Sequence, residues 1–147
     1  MKVTVGGFND LATIDAGDAI ALSVFFQGCK KRCPGCHNPG LQPFEGGMEL
    51  DTQDIEKRIW RNRDWYGAVV FLGGEPLDQP EALEALLNFV RGTDLESWLY
   101  TGYEPKDIPP GIAELADVIV AGPYIDALKT GGFPASSNQE VIRRTRN

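Results

Sequence analysis

The chain is short of sulfur and of histidine: its 147 residues include three cysteines, two methionines and one histidine. An odd cysteine count excludes a fully paired disulfide framework, and nothing marks the chain as secreted. The opening run, Met1-Lys2-Val3-Thr4-Val5-Gly6-Gly7, lacks the apolar core of a signal peptide. The longest apolar stretch, residues 20–26, is too short to span a bilayer. Positive charge is scarce as well. Fourteen Lys and Arg against 21 Asp and Glu leave a net charge of −7, a poor basis for gripping a nucleic-acid backbone. There is no internal repeat, low-complexity segment or linker. These absences set the first expectations: a cytoplasmic protein with reduced thiols, no membrane partner and no nucleic-acid partner.

What sulfur there is lies in one place. All three cysteines fall within Gly28-Cys29-Lys30-Lys31-Arg32-Cys33-Pro34-Gly35-Cys36-His37-Asn38-Pro39, spaced C-x-x-x-C-x-x-C. Three thiolates in one short loop are a metal site. An iron–sulfur cube is ordinarily held by four cysteines, so three would leave one iron open to a substrate or cofactor. With no cysteine left for a second cluster, electrons must come from outside. The alternative is a zinc site of Cys29, Cys33, Cys36 and His37 in a non-enzymatic interaction module. Zinc ligands, however, usually come as two separated pairs.

The rest of the chain alternates strand and helix patterns. Lys2 to Val5 reads as a short edge strand ended by Gly6-Gly7. Residues 20–26 read as a buried strand that delivers the chain into Gly28 and Cys29. A loop rich in Gly and Pro follows at 39–47. Asp51 or Thr52 can cap a helix running to about residue 63, with Ile55 and Ile59 one turn apart. Residues 68–72 form a continuous apolar run typical of a strand covered on both faces, and it ends in Gly73-Gly74-Glu75-Pro76. Pro80, then Leu83, Leu86, Leu87 and Val90, then Gly92 mark the clearest helix. Residues 97–101 and 117–121 read as strands, with a short helix at 112–116 between them. The tail is irregular from 127 until 139–144. Such alternation implies a parallel sheet with right-handed crossovers. The length suits one domain, 1–147, and falls well short of a closed eight-stranded barrel. The expected fold is α/β, an open partial β/α barrel of about four to six mostly parallel strands. The loops at Cys29, Gly73, Gly102 and Gly122 would then share the C-terminal strand edge, where ligands bind.

The cysteine spacing, followed in order by Gly73-Gly74-Glu75-Pro76, resembles the signature of the radical S-adenosylmethionine (SAM) enzymes. Within them, Cys-Pro-Gly-Cys-His-Asn is similar to the small activating proteins of glycyl-radical enzymes, those of anaerobic ribonucleotide reductases above all. The resemblance implies a [4Fe–4S] cluster on Cys29, Cys33 and Cys36, with SAM on the fourth iron. It implies that Gly73, Gly74 and Glu75 contact the SAM amino group, that Gly35 and His37 lie beside the adenine near Cys36, and that Thr101 belongs to a strand-end motif near the site. No catalytic residue beyond the cluster ligands is expected, since hydrogen-atom abstraction by a radical needs no base. The implied reaction is reductive cleavage of SAM to methionine and a 5′-deoxyadenosyl radical, which installs a glycyl radical on a large anaerobic ribonucleotide reductase. The alternative target is another glycyl-radical enzyme or a peptide. Lys30, Lys31 and Arg32 would suit docking of an acidic one-electron donor such as a flavodoxin. Residues 117–124 and Ser136-Ser137-Asn138-Gln139 also resemble the reductase-activating family. One departure stands out. The family's Gly-x-Gly-x-Arg before the cluster strand is represented here by Gly17, Ala19 and Ala21, which lack the second glycine and the arginine.

Overall fold

A computed structural model of the chain describes residues 1–29 and 39–144. Seven strands form one open sheet: β1 (Lys2–Ala12), β2 (Ala21–Phe26), β3 (Met48–Asp51), β4 (Ala68–Gly73), β5 (Glu96–Thr101), β6 (Val118–Ala121) and β7 (Glu140–Arg143). Their order is β3-β1-β2-β4-β5-β6-β7. The centre, β2-β4-β5-β6, is parallel throughout. β1 and β7 run against it, and β3, antiparallel to β1, points the same way as the centre. The sheet is thus mostly parallel and unclosed, as expected of a partial barrel, with one strand more than the upper expectation.

The surplus strand is β3, which turns β1, read from the sequence as an edge strand, into an internal one. β1 continues through Gly6 and Gly7 to Ala12, because register shifts in its pairing with β2 absorb the irregularity that the glycines signal. β3 follows directly on the Gly-rich loop and pairs Met48 to Asp51 with Val5 to Lys2. It is too short to show a periodicity of its own.

Three helices lie on one face: α1 (Thr52–Arg61), α2 (Pro80–Arg91) and α3 (Pro110–Leu115). Asp51 caps α1, its side chain accepting from the Gln53 N–H while Asp54 reaches back to the Asp51 N–H. Alternation along the strands then builds two cores. Leu22, Val24, Phe26, Val69, Phe71, Leu99 and Ile119 face the helices and pack against Ile55, Ile59, Leu83, Leu86, Leu87, Val90 and Ile112. The opposite face carries Ala12, Ala21, Ala68, Val70, Trp98, Val118 and Val120. No helix covers it. A loop at 13–19 crosses it, tied down by Ser23 Oγ, which donates to Asp15 Oδ2 (2.6 Å), and by the Tyr100 hydroxyl, which donates to Asp15 O (2.6 Å). Ala21 is fully buried and pairs with Ala12 on one side and Ala68 on the other. This packing of small side chains leaves no room for a long side chain at position 21. Among the described residues no helix is long and apolar enough to cross a membrane.

The β1 edge is pinned by a side chain that sequence patterning does not reveal. Gln79 Oε1 accepts from the Thr4 N–H (2.9 Å), and its Nε2 donates to Thr4 O (2.9 Å) and Gln27 O (3.0 Å). Gln79→Ala takes a hydrogen-bond partner from the Thr4 N–H and from Gln27 O, while Thr4 O keeps the Gln27 N–H (3.0 Å), and is expected to cost about 1–3 kcal/mol. Urea unfolding of wild type and variant checks it.

Candidate functional site

β2, β4, β5 and β6 end side by side, so the segments after Phe26, Gly73, Thr101 and Ala121 meet at one edge of the sheet. Cys29 is half-buried there. Its approach is fixed on two sides. On one, the Gly28 and Cys29 N–H groups donate to Leu41 O (2.7 Å) and Gln42 O (2.8 Å). On the other, the Gly74 and Glu75 N–H groups donate to Phe26 O (2.9 Å) and Gly28 O (2.7 Å). Gly74 therefore lies directly on the cysteine-bearing segment. A Cβ at Gly74 would collide with Gly28 O and would stand 2.6 Å from Leu41 O, both backbone atoms that cannot step aside. Gly73 has φ +122°, and its missing Cβ would meet the Phe26 backbone.

Glu75 is buried, with 1% of its surface exposed. Its carboxylate accepts from the Leu77 N–H (2.9 Å), the Thr101 hydroxyl (2.8 Å) and the Gly102 N–H (2.6 Å). It thus clamps the β4 turn to the end of β5. Burial raises its pKa to about 7, even though those three donors favour the ionised form. Thr101, also buried, accepts from the Tyr103 N–H (3.1 Å) through the same hydroxyl that donates its hydrogen bond to Glu75. The Tyr103 hydroxyl donates to Asp78 (2.5 Å). That bond, with burial and the charges of Asp78, Glu75 and Cys29, pushes Tyr103 up to about 12.

The β6 end is braced by the segment for which sequence chemistry gave no role. Gln139 Nε2 donates to Gly122 O (3.1 Å) and its Oε1 accepts from the Ser136 N–H (3.0 Å). Asn138 Nδ2 donates to Pro123 O (2.9 Å), which leaves Asn138 Oδ1 buried with no donor among the described residues.

Of the residues singled out in the sequence, the edge brings together Cys29, Gly73, Gly74, Glu75 and Thr101. Cys33, Gly35, Cys36 and His37, together with Lys30, Lys31 and Arg32, lie outside the described residues. Among those described, no group of three His, Cys, Asp or Glu side chains gathers. Gln27 escaped the sequence reading. It is buried, and its Nε2 donates to Gly40 O (3.3 Å), Pro43 O (2.5 Å) and Glu45 O (3.2 Å), holding the loop that returns from the cysteines. An amide at the end of an apolar strand was the available signal.

The model of 4Fe–4S single cluster domains matches residues 16–142. The chain belongs to this family of radical SAM-type iron–sulfur domains. Among curated proteins, the domain is 38% identical over 92 residues to the pyruvate formate-lyase-activating enzyme of Clostridium pasteurianum, covering 59% of this chain and 39% of that one. It is 30% identical over 118 residues to the pyruvate formate-lyase 1-activating enzyme of Escherichia coli K12, covering 78% and 48%. It is 27% identical over 139 residues to the anaerobic ribonucleoside-triphosphate reductase-activating protein of Salmonella typhimurium, covering 85% and 89%. The chain thus spans half or less of the pyruvate formate-lyase-activating relatives. The crystal structure of QueE from Escherichia coli shares the fold, with TM-score 0.61 at 16% identity over 82% of this chain and 70% of that one.

The donor chemistry at the edge fits the group the family carries. The Cys29 sulfur stands where the strand ends converge, and Asn138 Oδ1 is a buried acceptor beside the end of β6.

Two substitutions probe this edge. Gly74→Ala should cost about 1–3 kcal/mol and lower iron loading in step, whereas Gly7→Ala, whose Cβ meets nothing within 4 Å, should change neither. Thermal melts and iron assay decide. Glu75 binds its proton more tightly folded than unfolded, so its contribution is present below pH 4.5 and lost as pH rises through about 7. Wild type should lose on the order of 3 kcal/mol from this group across that window. Glu75→Gln should flatten this part of the pH–stability curve, read by melts at pH 5 and pH 8.

Proposed function

We propose that the chain is a single radical SAM domain, 1–147, acting as the activating enzyme of a glycyl-radical enzyme. Cys29, Cys33 and Cys36 would hold a [4Fe–4S] cluster. SAM would bind its open iron alongside Gly73, Gly74 and Glu75, with Gly35 and His37 on the adenine side. When reduced, the bound pair supplies homolytic cleavage of SAM and a hydrogen-abstracting radical. The observation that carries the reading is the locking of the Cys29 approach onto the Gly73–Glu75 turn, through the bond from the Glu75 N–H to Gly28 O.

The protein's own residues do the positioning. Gly74 lets backbone meet backbone, so that cluster ligand and cofactor turn cannot drift apart. Glu75 and Thr101 do not spend their polar atoms on solvent: they join the β4 and β5 ends and keep the floor of the site rigid. Asn138 presents Oδ1 to the N–H groups of a ligand. Tyr103 and Asp78 close the β5 side. No general base is required. His37 is assigned to binding, and the zinc reading of a Cys₃His set recedes because the chain belongs to an iron–sulfur family.

For the target, we infer a large anaerobic ribonucleotide reductase. The similarity to the Salmonella reductase-activating protein runs over most of both chains. The second reading is pyruvate formate-lyase, favoured by the higher identity of the shorter match. The electron would come from an external donor such as a flavodoxin, in the reducing cytoplasm that thiolate ligands need.

The test mixes the reduced, cluster-loaded protein and SAM with each of the two glycyl-radical enzymes under anaerobic conditions. A doublet radical signal on the reductase that collapses on glycine deuteration is expected. A signal on pyruvate formate-lyase instead selects the second reading, and silence on both refutes the activase assignment.

A further inference from the structure

The loop that returns from the cysteines fits onto the ends of β1 and β2 at three glycines. A Cβ at Gly6 would collide with Leu41 Cδ2, and one at Gly47 would stand 2.7 Å from Gln27 Cβ. One at Gly28 would collide with Phe44 Cδ1 and stand 2.5 Å from its Cε1. Leu41, Gln27 and Phe44 thus occupy the space that three absent side chains would take. The Phe44 contact differs from the other two. Gln27 is buried and Leu41 half-buried, whereas Phe44 is 44% exposed and belongs to neither hydrophobic core. Its ring falls on the residue before the first cysteine. That residue is held on its other sides as well. The same loop takes the Gly28 and Cys29 N–H groups through Leu41 O and Gln42 O, and the β4 turn takes Gly28 O through the Glu75 N–H. Gly28 has φ +102°, a conformation that glycine adopts without strain and that sets the direction in which the chain enters Cys29. Among the described residues, Phe44 is the outer layer over this backbone, so truncating its ring opens Gly28 to solvent.

We propose that Phe44 is a positioning residue for the iron–sulfur centre: its ring covers the backbone that enters Cys29, fixes the approach of that ligand and keeps water from that side of the cluster. The proposal rests on the functional reading above, in which Cys29 is a cluster ligand. The chemistry of such a centre gives the ring a consequence beyond packing. Thiolate ligands make the cluster anionic, and the electron taken from the external donor adds one more negative charge. Water beside the ligand sulfurs favours the more negative, reduced form, and an apolar cover favours the oxidised form. Phe44 therefore holds the reduction potential low, which is what reductive cleavage of SAM demands of the centre.

The test compares the anaerobically reconstituted full chain with Phe44→Ala, Phe44→Leu and Trp65→Ala, the last an exposed aromatic ahead of β4, at the far end of the strands. Redox titration read by electron paramagnetic resonance should find Phe44→Ala easier to reduce. The one-electron equilibrium should move on the order of tenfold, or about 59 mV upward. Phe44→Leu, which keeps an apolar cover over part of Gly28, should move the same way by less, and Trp65→Ala should stay at the wild-type value. Pulsed spectra of the reduced proteins in D2O should show stronger coupling to exchangeable deuterons in Phe44→Ala than in wild type. A ring that only packs would lower the melting temperature of Phe44→Ala and leave potential and deuteron coupling unmoved, which overturns the proposal. An equal shift in Trp65→Ala overturns it too. If Phe44→Ala takes up no iron, the same two readouts on Phe44→Leu decide: an upward shift with added coupling supports the proposal, and wild-type values overturn it. If wild type itself assembles no four-iron cluster, the functional reading fails and the proposal falls with it. A wild-type cluster whose potential ignores position 44 leaves that reading standing and removes Phe44 alone.

Discussion

One contact organises the molecule: backbone on backbone where the end of β2 meets the turn after β4. The Glu75 N–H holds Gly28 O, one residue before the first cysteine, and Gly74 has no side chain to keep the two segments apart. The same Glu75 then turns its buried carboxylate to Leu77, Thr101 and Gly102. A charged group with almost no solvent is costly unless donors surround it. Three donors from two loops therefore make its burial tolerable only when both loops are in place. Seating the cysteine segment, the β4 turn and the β5 end becomes one cooperative event.

The two faces of the sheet divide the labour. The helix face carries the large aliphatic core, and the strands stay in register because Leu22, Val24, Val69, Phe71, Leu99 and Ile119 lock into it. The other face is built from small residues around Ala21 and Ala68, with Trp98 and Tyr100 stacked on β5. It is thin, and among the described residues loops rather than helices cover it. A site at the strand ends is thereby supported by the helix-packed side of the sheet and lies open to the lighter one.

Much of this was legible in the sequence. The apolar runs at 20–26 and 68–72, the leucine stripe of α2 and the glycines after each strand gave a parallel sheet with its ligand edge, because those signals are local and periodic. β3 and the full length of β1 were not legible. β3 is four residues long, and β1 passes through two glycines that ordinarily end a strand. Both are fixed by partners distant in sequence. The roles of Gln27, Gln79 and Gln139 were hidden for the same reason, since an amide's carbonyl and N–H partners come from other loops. Glu75 and Thr101 were picked out as site residues, but sequence order could not say that their polar atoms would be directed at each other.

The central claim is that three thiolates at this edge hold a four-iron cluster with one iron left for a cofactor beside Gly74. Mössbauer spectra of the anaerobically reconstituted protein, recorded with and without SAM, test it most directly. The account predicts a [4Fe–4S] cluster in which one iron of about four changes its signal when SAM is added while the others hold theirs. Four irons indifferent to SAM, or zinc in place of iron, would contradict it.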